Sequence, residues 1–247
     1  MKKYITLALL LAAGSALANA TTPTIVWDMD FLETGVSISG TGVTTDLATG
    51  VGVGLIKDGA ITLNDDKFSF TQTADQVSYA EEFTLNVKLS LGETQPGNWP
   101  VLFSLGEDNS WYWKAAYYTQ TDAFTLDKDG FTYVDESQKS AGEIAYAKDS
   151  IVNVAVVSDG KGTISLYVDG KEAGHTTITN ESDYGSNKYV NIFTFGGRNG
   201  STANKSNLTI YDAKLYKGIA IPEPSMFGLL AGLGALALVG TRRRNRR

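Results

Sequence analysis

Two carboxyl groups held about 5 Å apart can cleave a glycosidic bond, one attacking as nucleophile and the other serving as acid. Acidic residues come close together in this sequence at Asp65-Asp66, Glu81-Glu82, Asp135-Glu136 and Glu181-Ser182-Asp183. Neighbours on a strand point to opposite faces, so the first three pairs read better as solvated turns. Only Glu181 and Asp183 alternate, and they sit among Asn180, Tyr184 and Gly185, a loop composition. His175 is the only histidine. A Ser-His-Asp relay would have to use it, and a multi-histidine zinc site is impossible. It follows Gly174 on the returning strand of a hairpin, where an exposed polar residue is expected. The chain has no cysteine, which removes thiol nucleophiles, thiolate metal sites and disulfides.

Asp127-Lys128-Asp129-Gly130 opens like a calcium loop, with Asp127 and Asp129 as its first ligands. Phe131 then occupies the next ligand position, and no glutamate closes the twelve-residue frame. A hairpin turn accounts for the same residues better. The other chemistry on offer is aromatic. Trp99, Trp111, Tyr112, Trp113, Tyr117 and Tyr118 crowd into twenty positions. On a strand, Trp111 and Trp113 share one face and Tyr112 takes the other. One face would join a core, and the other could offer a flat ring for stacking on a sugar. Trp99 lies in the turn Gly97-Asn98-Trp99-Pro100, where no core demands it, and is the first choice for a binding contact. Trp111, Tyr112 and Trp113 follow.

The elements that must position these residues are strands. Leu85, Val87, Leu89 and Leu91 alternate with polar residues, a period of two with one buried face. Residues 151–157 are nearly continuous apolar, the pattern of a strand covered on both sides. Residues 163–168 and 171–178 flank Asp169-Gly170, the residue pair that a type I′ hairpin turn requires. Further strands are expected at 25–31, 68–71, 101–105, 111–118, 189–195 and 208–216. Residues 34–54, with six glycines and five threonines, read as irregular edge structure. No helical period persists for ten residues outside the two ends. Many short strands in about 200 residues predict an all-β fold, a two-sheet antiparallel sandwich or jelly roll.

The ends read as addresses. Lys2 and Lys3, an apolar run over 5–13 and Ala18-Asn19-Ala20 have the order of a secretory signal helix, cleaved after Ala20 with Ala18 and Ala20 as its small residues. At the other end, Ile221-Pro222-Glu223-Pro224-Ser225 precedes an apolar run over 226–240 and five arginines. The two prolines enforce an extended linker that a protease could grip. Fifteen residues span only about 22 Å as a helix, a short transmembrane segment for a hydrocarbon core of about 30 Å. The arginines would stay cytoplasmic and put residues 21–221 outside the inner membrane. The net charge of −6 averages these parts. Without the basic ends, the 201 residues between them carry 14 basic and 26 acidic side chains, a charge near −12. No basic stripe exists there, so nucleic acid is excluded as a partner.

Pro222, Glu223 and Pro224, the short Gly/Leu-rich helix and the arginine-rich end resemble the PEP-CTERM sorting signal of Gram-negative bacteria, with Ile221 where valine is frequent. The resemblance implies that the chain is the substrate of an exosortase, a membrane-embedded cysteine protease. It also implies a passage through the inner membrane by way of the tail, then release or attachment at the cell surface. A second resemblance rests on strand order: a Phe83-Thr84-Leu85 strand, Val101 to Gly106, the aromatic strand from Trp111, Asn153 to Val157, the hairpin Leu166 to Lys171, Gly196-Gly197, and Leu208 to Asp212. In that order they are similar to the laminin-G-like, concanavalin A-like lectin/glucanase jelly roll over residues 25–217.

Hydrolases of that group carry Glu-x-Asp-x-x-Glu on one strand. Here Glu181 and Asp183 are followed by Ser186 at the third position, so the resemblance implies a binding domain with no catalytic residues and no enzyme activity. Its relatives often hold calcium in loops, which makes calcium at Asp127 and Asp129 the one metal to consider and leaves no other cofactor. The expected domains are a signal peptide (1–20), a laminin-G-like jelly roll (21–221) and a sorting tail (222–247). The expected function is a non-catalytic adhesion or glycan-binding module on the cell surface, with a glycan or surface protein as partner. A structural matrix protein without a pocket and a glycoside hydrolase with an atypical site are the alternatives.

Overall fold

A computed structural model describes residues 22–32, 35–40, 43–44, 56–96, 100–106, 112–118, 123–128, 150–177, 189–197 and 205–221. Every described element is a strand. In chain order they are β1 (Thr24–Leu32), β2 (Gly35–Gly40), β3 (Val43–Thr44), β4 (Ile56–Lys57), β5 (Ala60–Leu63) and β6 (Phe68–Gln72). Next come β7 (Val77–Ser78), β8 (Glu82–Leu91), β9 (Val101–Gly106), β10 (Tyr112–Tyr118), β11 (Ala123–Lys128) and β12 (Val152–Asp159). The chain closes with β13 (Thr163–Val168), β14 (Lys171–Thr177), β15 (Tyr189–Val190), β16 (Ile192–Phe195) and β17 (Leu208–Lys217).

They form two antiparallel sheets packed face to face as a jelly-roll sandwich. One sheet has nine strands in the order β14-β13-β12-β8-β17-β1-β2, with β5 beside β17 and β4 beside β5. The other has six, in the order β11-β10-β9-β16-β6-β3, and β15 and β7 make a small ribbon. Alternation sends one face of each strand inward. From the first sheet come Trp27, Met29, Leu85, Val87, Leu89, Val154, Val156, Ile164, Leu166 and Leu215, and from the second Phe68, Phe70, Phe103, Leu105, Phe193 and Phe195, all buried. Trp27 packs nearly perpendicular to Phe70 and Phe193, each at 5.1 Å between ring centres. Phe70 and Phe193 stack on each other at 5.2 Å. Edge-to-face and offset contacts of this kind add to the area effect, and in a chain without disulfides they are the lock between the sheets.

The expected hairpin forms as the sequence demands. Asp169 and Gly170 both take positive φ, 48° and 75°, and the Asp169 carboxylate accepts a hydrogen bond from the Asn153 amide at 2.9 Å. On the strand at 152–159 Ala155 and Val157 are buried although they face away from the core, among the side chains of the neighbouring strands and with no further layer described over them. Residues 34–54 depart from expectation. Part of that stretch is β2, a regular edge strand paired with β1 over six successive residues, and part is β3 on the other sheet. Small side chains do not prevent pairing when a neighbouring strand supplies the register. Strands β4, β5, β7 and β11 gave no usable periodicity because most are two to four residues long. The run expected at 189–195 is divided at Asn191 between β15 and β16.

The turn joining β12 to β13 is organised by Asp159, whose Oδ1 accepts from the Lys161 amide at 2.7 Å and the Thr163 amide at 2.9 Å. Burial alone would raise this carboxyl, but the hydrogen bonds from Thr163 and Lys161 and the Lys161 charge outweigh it, so the group titrates below its ordinary value. A depressed carboxyl stabilises the fold above its unfolded pKa and ceases to do so as pH falls through the folded one. Asp159→Asn should therefore lower the melting temperature at pH 7. The gap to wild type should shrink as pH falls below about 4, the ordinary aspartate range, in thermal melts recorded across that interval.

Candidate functional site

Strand β17 contains Asp212-Ala213-Lys214-Leu215-Tyr216. Ala213 and Leu215 are fully buried, so the period of two places Asp212, Lys214 and Tyr216 on the outer face of the nine-stranded sheet. Pairing then fixes their neighbours. Lys214 lies opposite Asn86 on β8 and Asp28 on β1. The same row continues through Ser39 at one end and through Ala155, Tyr167 and Glu172 at the other. Seven strands thus contribute one residue each to a single row. At about 4.8 Å between strands it runs for roughly 30 Å.

The centre of the row is charged. Lys214 Nζ stands 3.1 Å from Asp212 Oδ2 and 3.5 Å from Asp28 Oδ2, with all three side chains about one-third exposed or less. Burial opposes the lysine's charge, and the hydrogen bond and charge of Asp212, together with Asp28, more than offset it and raise its pKa above the ordinary value. Asp28 Oδ1 and Asn86 Oδ1 are enclosed beside it without a hydrogen-bond partner. Burial raises the Tyr216 phenol above its ordinary value; the Lys214 charge pulls it down and Asp212 and Asp28 push it up. The Tyr167 phenol is likewise raised by burial and by the Glu172 charge, against a hydrogen bond from Ser165.

Chemically, the row offers carboxylates, an ammonium, an amide and the Tyr167 phenol, with Asp212 and Tyr216 flanking Lys214 on β17. The separation of Asp28 and Asp212, both in reach of one ammonium, does not exceed the roughly 5–9 Å that glycosidase pairs span. Lys214 stands between them, however, where an acid–nucleophile pair leaves room for the scissile bond. This is an ion-paired triad. Sequence reading missed it because Asp28 and Asp212 are 184 positions apart and only strand pairing unites them; the alternation Asp212-x-Lys214-x-Tyr216 was its one visible sign.

The residues singled out from sequence fall elsewhere. Tyr112 and Trp113 are on β10. Trp113 takes the row of Leu105 and Phe193, two core residues, and Tyr112 the row of Gly106 and Ile192. Asp127 is on β11 opposite Lys114, within a strand and not in the turn expected of a calcium loop. Trp99, Trp111, Asp129, Glu181, Asp183, Ala18, Ala20, Pro222, Glu223 and Pro224 lie outside the described residues, as do the signal helix and the tail segment. Asp65 takes positive φ in the turn before β6, and Glu81 pairs with Lys217 at 3.5 Å. His175 is exposed on β14 with its Nδ1 2.5 Å from Glu172 Oε1. Among the described residues, no group of three His, Cys, Asp or Glu could hold a metal ion, and no helix is long and apolar enough to cross a membrane.

Residues 220–244 match the PEP-CTERM protein-sorting motif, which marks an exported protein sorted through the membrane to the cell surface. No curated protein matches the sequence. In fold, the chain is similar to the botulinum neurotoxin serotype G binding domain, at 13% identity and a TM-score of 0.51, over 84% of this chain and 51% of that one. It is similar to the binding domain of botulinum neurotoxin DC in complex with SialylT, at 16% identity and TM-score 0.51, over 83% and 51%. It is also similar to the Trypanosoma rangeli sialidase in complex with 2,3-difluorosialic acid, at 14% identity and TM-score 0.52, over 87% and 34%. The chain spans about half the length, or less, of these structures.

The electrostatics of the row can be read from Tyr216. Its phenol should ionise above the free-tyrosine value in a spectrophotometric pH titration, and Lys214→Met should raise it further by removing the cation that lowers it.

Proposed function

We propose that this protein is an exosortase-processed surface module that binds glycans or mediates adhesion and performs no catalysis. The observation that carries the reading is the sorting motif at residues 220–244, joined directly to a sandwich domain. The motif supports delivery to the outer surface. Support for glycan binding comes from similar folds, two of which were seen with SialylT or difluorosialic acid. The Lys214 ammonium between Asp28 and Asp212 favours a binding or structural role for that pair over hydrolysis. The proposed organisation is a signal peptide over 1–20, a laminin-G-like jelly roll over 21–221 and a sorting tail over 222–247, with the chain passing through the inner membrane of a Gram-negative cell.

The proposed ligand contacts are Trp99, Trp111, Tyr112 and Trp113, as aromatic rings for stacking on sugar faces. Calcium at Asp127 and Asp129 is at most an accessory. With a charge near −12 on the domain, anionic sugars are repelled at low salt, so the preferred glycans are neutral. A glycan array should show binding to neutral oligosaccharides over sialylated ones, reduced at least tenfold by Trp99→Ala or Trp111→Ala. No binding anywhere on the array, or binding indifferent to both substitutions, would defeat this assignment. Loss confined to Tyr167→Ala and Lys214→Met would move the contact to the outer-face row.

A further inference from the structure

The nine-stranded sheet ends in two unlike edges. β14 is guarded: Lys171, Glu172 and His175 are exposed along it, its pairing with β13 is broken by a bulge beside Leu166, and β11 of the other sheet folds against it. β2, at the opposite end, has none of these devices. Its residues, Gly35-Val36-Ser37-Ile38-Ser39-Gly40, include no charge and no proline, and they pair with β1 in unbroken register. Among the described residues, no strand lies along the other side of β2. A regular, uncharged edge is a template for another strand, which is why native edges are guarded.

Register decides which main-chain groups this edge offers. The Gly218 N–H donates to the Glu82 carbonyl at 2.7 Å, so Tyr216 and Lys214 bond in the same sense to Thr84 and Asn86. Leu215 and Ala213 then bond the other way, to Trp27 and Met29 on β1. That leaves Asp28 and Asp30 to bond with Ser39 and Ser37. The N–H and C=O groups of Val36, Ile38 and Gly40 therefore point out of the sheet edge.

The geometry points to a second copy of this chain as the occupant, its β2 paired antiparallel to this one about a two-fold axis through Ile38. This register sets Ile38 against Ile38 and Val36 against Gly40, and it uses every outward main-chain group of the edge. The inward row, with Val36 buried and Ile38 packed against the core, continues into the second copy, and the bulk of Val36 meets a glycine. On the outer face, exposed Ser37 meets Ser39. A slip of one residue sets outward-bonding residues against inward-bonding ones and puts the apolar row on the wrong face. Two domains of charge near −12 thus meet along an edge that carries no charge of its own. Because β14 is guarded, the assembly closes at two copies and does not grow into a filament.

The chain has no cysteine, so introduced thiols report the pairing without background. Full-length Ser37→Cys and Ser39→Cys chains are made separately and together, treated with a mild oxidant, and resolved on a non-reducing gel. Across the two-fold, positions 37 and 39 lie about 4.5 Å apart between Cα atoms, within disulfide reach. Position 37 meets its own copy only on the diagonal, at about 7–8 Å, and so does position 39. The mixture should give roughly tenfold more cross-linked dimer than either variant alone. Adding Ile38→Pro to both chains removes the outward N–H at the axis and none that bonds to β1, as an edge strand tolerates, and should abolish the cross-link. The first comparison changes exposed serines only, so it stands even if the proline variant folds poorly. No dimer from the mixture overturns the inference, as does equal dimer from each variant alone or a cross-link that survives Ile38→Pro.

Discussion

The nine-stranded sheet is held together by its last strand. β17 pairs with β8 on one side and with β1 and β5 on the other, and every route from the β1–β2 edge to the β8–β12–β13–β14 half passes through it. Until residues 208–217 are in place, the first strand has no partner in the other half. Contacts of such large sequence separation are slow to form, so the sheet closes only when its last strand is available. Residues 218–220 extend the same closure, since the Thr84 hydroxyl donates to the Gly218 carbonyl and accepts from the Ala220 N–H.

What the strands enclose is aromatic. Trp27 on β1, Phe70 on β6 and Phe193 on β16 meet across the two sheets, so the first strand also fixes the sandwich at its centre. In the absence of cysteine this packing takes the role that disulfides have in many exported domains. It also explains why charge is confined to the outside. Among the described residues no Asp, Glu, Lys or Arg is buried, and the half-buried Lys214 is paired with two carboxylates.

The outer row adjoins the segment 218–220 that Thr84 holds. Tyr216 and Thr84 lie one row along from Lys214 and Asn86, so the polar row begins where the chain turns toward its tail. The structural relatives share the sandwich at 13–16% identity, a level at which architecture is common property and function resides in side chains.

The sequence by itself determined the sorting motif, the all-β class and most of the long strands. Those features are local: a run of apolar residues, a Pro-Glu-Pro spacing, a period of two or an Asp-Gly turn needs no distant partner to be recognised. It could not reveal β2 as a paired edge strand, because Gly, Ser and Thr carry no periodic apolar signal and the pairing is supplied by β1. Nor could it unite Asp28, Asn86 and Lys214, or show that Thr84 holds Gly218 and Ala220. Each of these depends on register between strands far apart in the chain, and a shift of one residue would send every one of those side chains to the opposite face. Tertiary structure alone decided that register, through the inward demand of Trp27, Leu85 and Leu215.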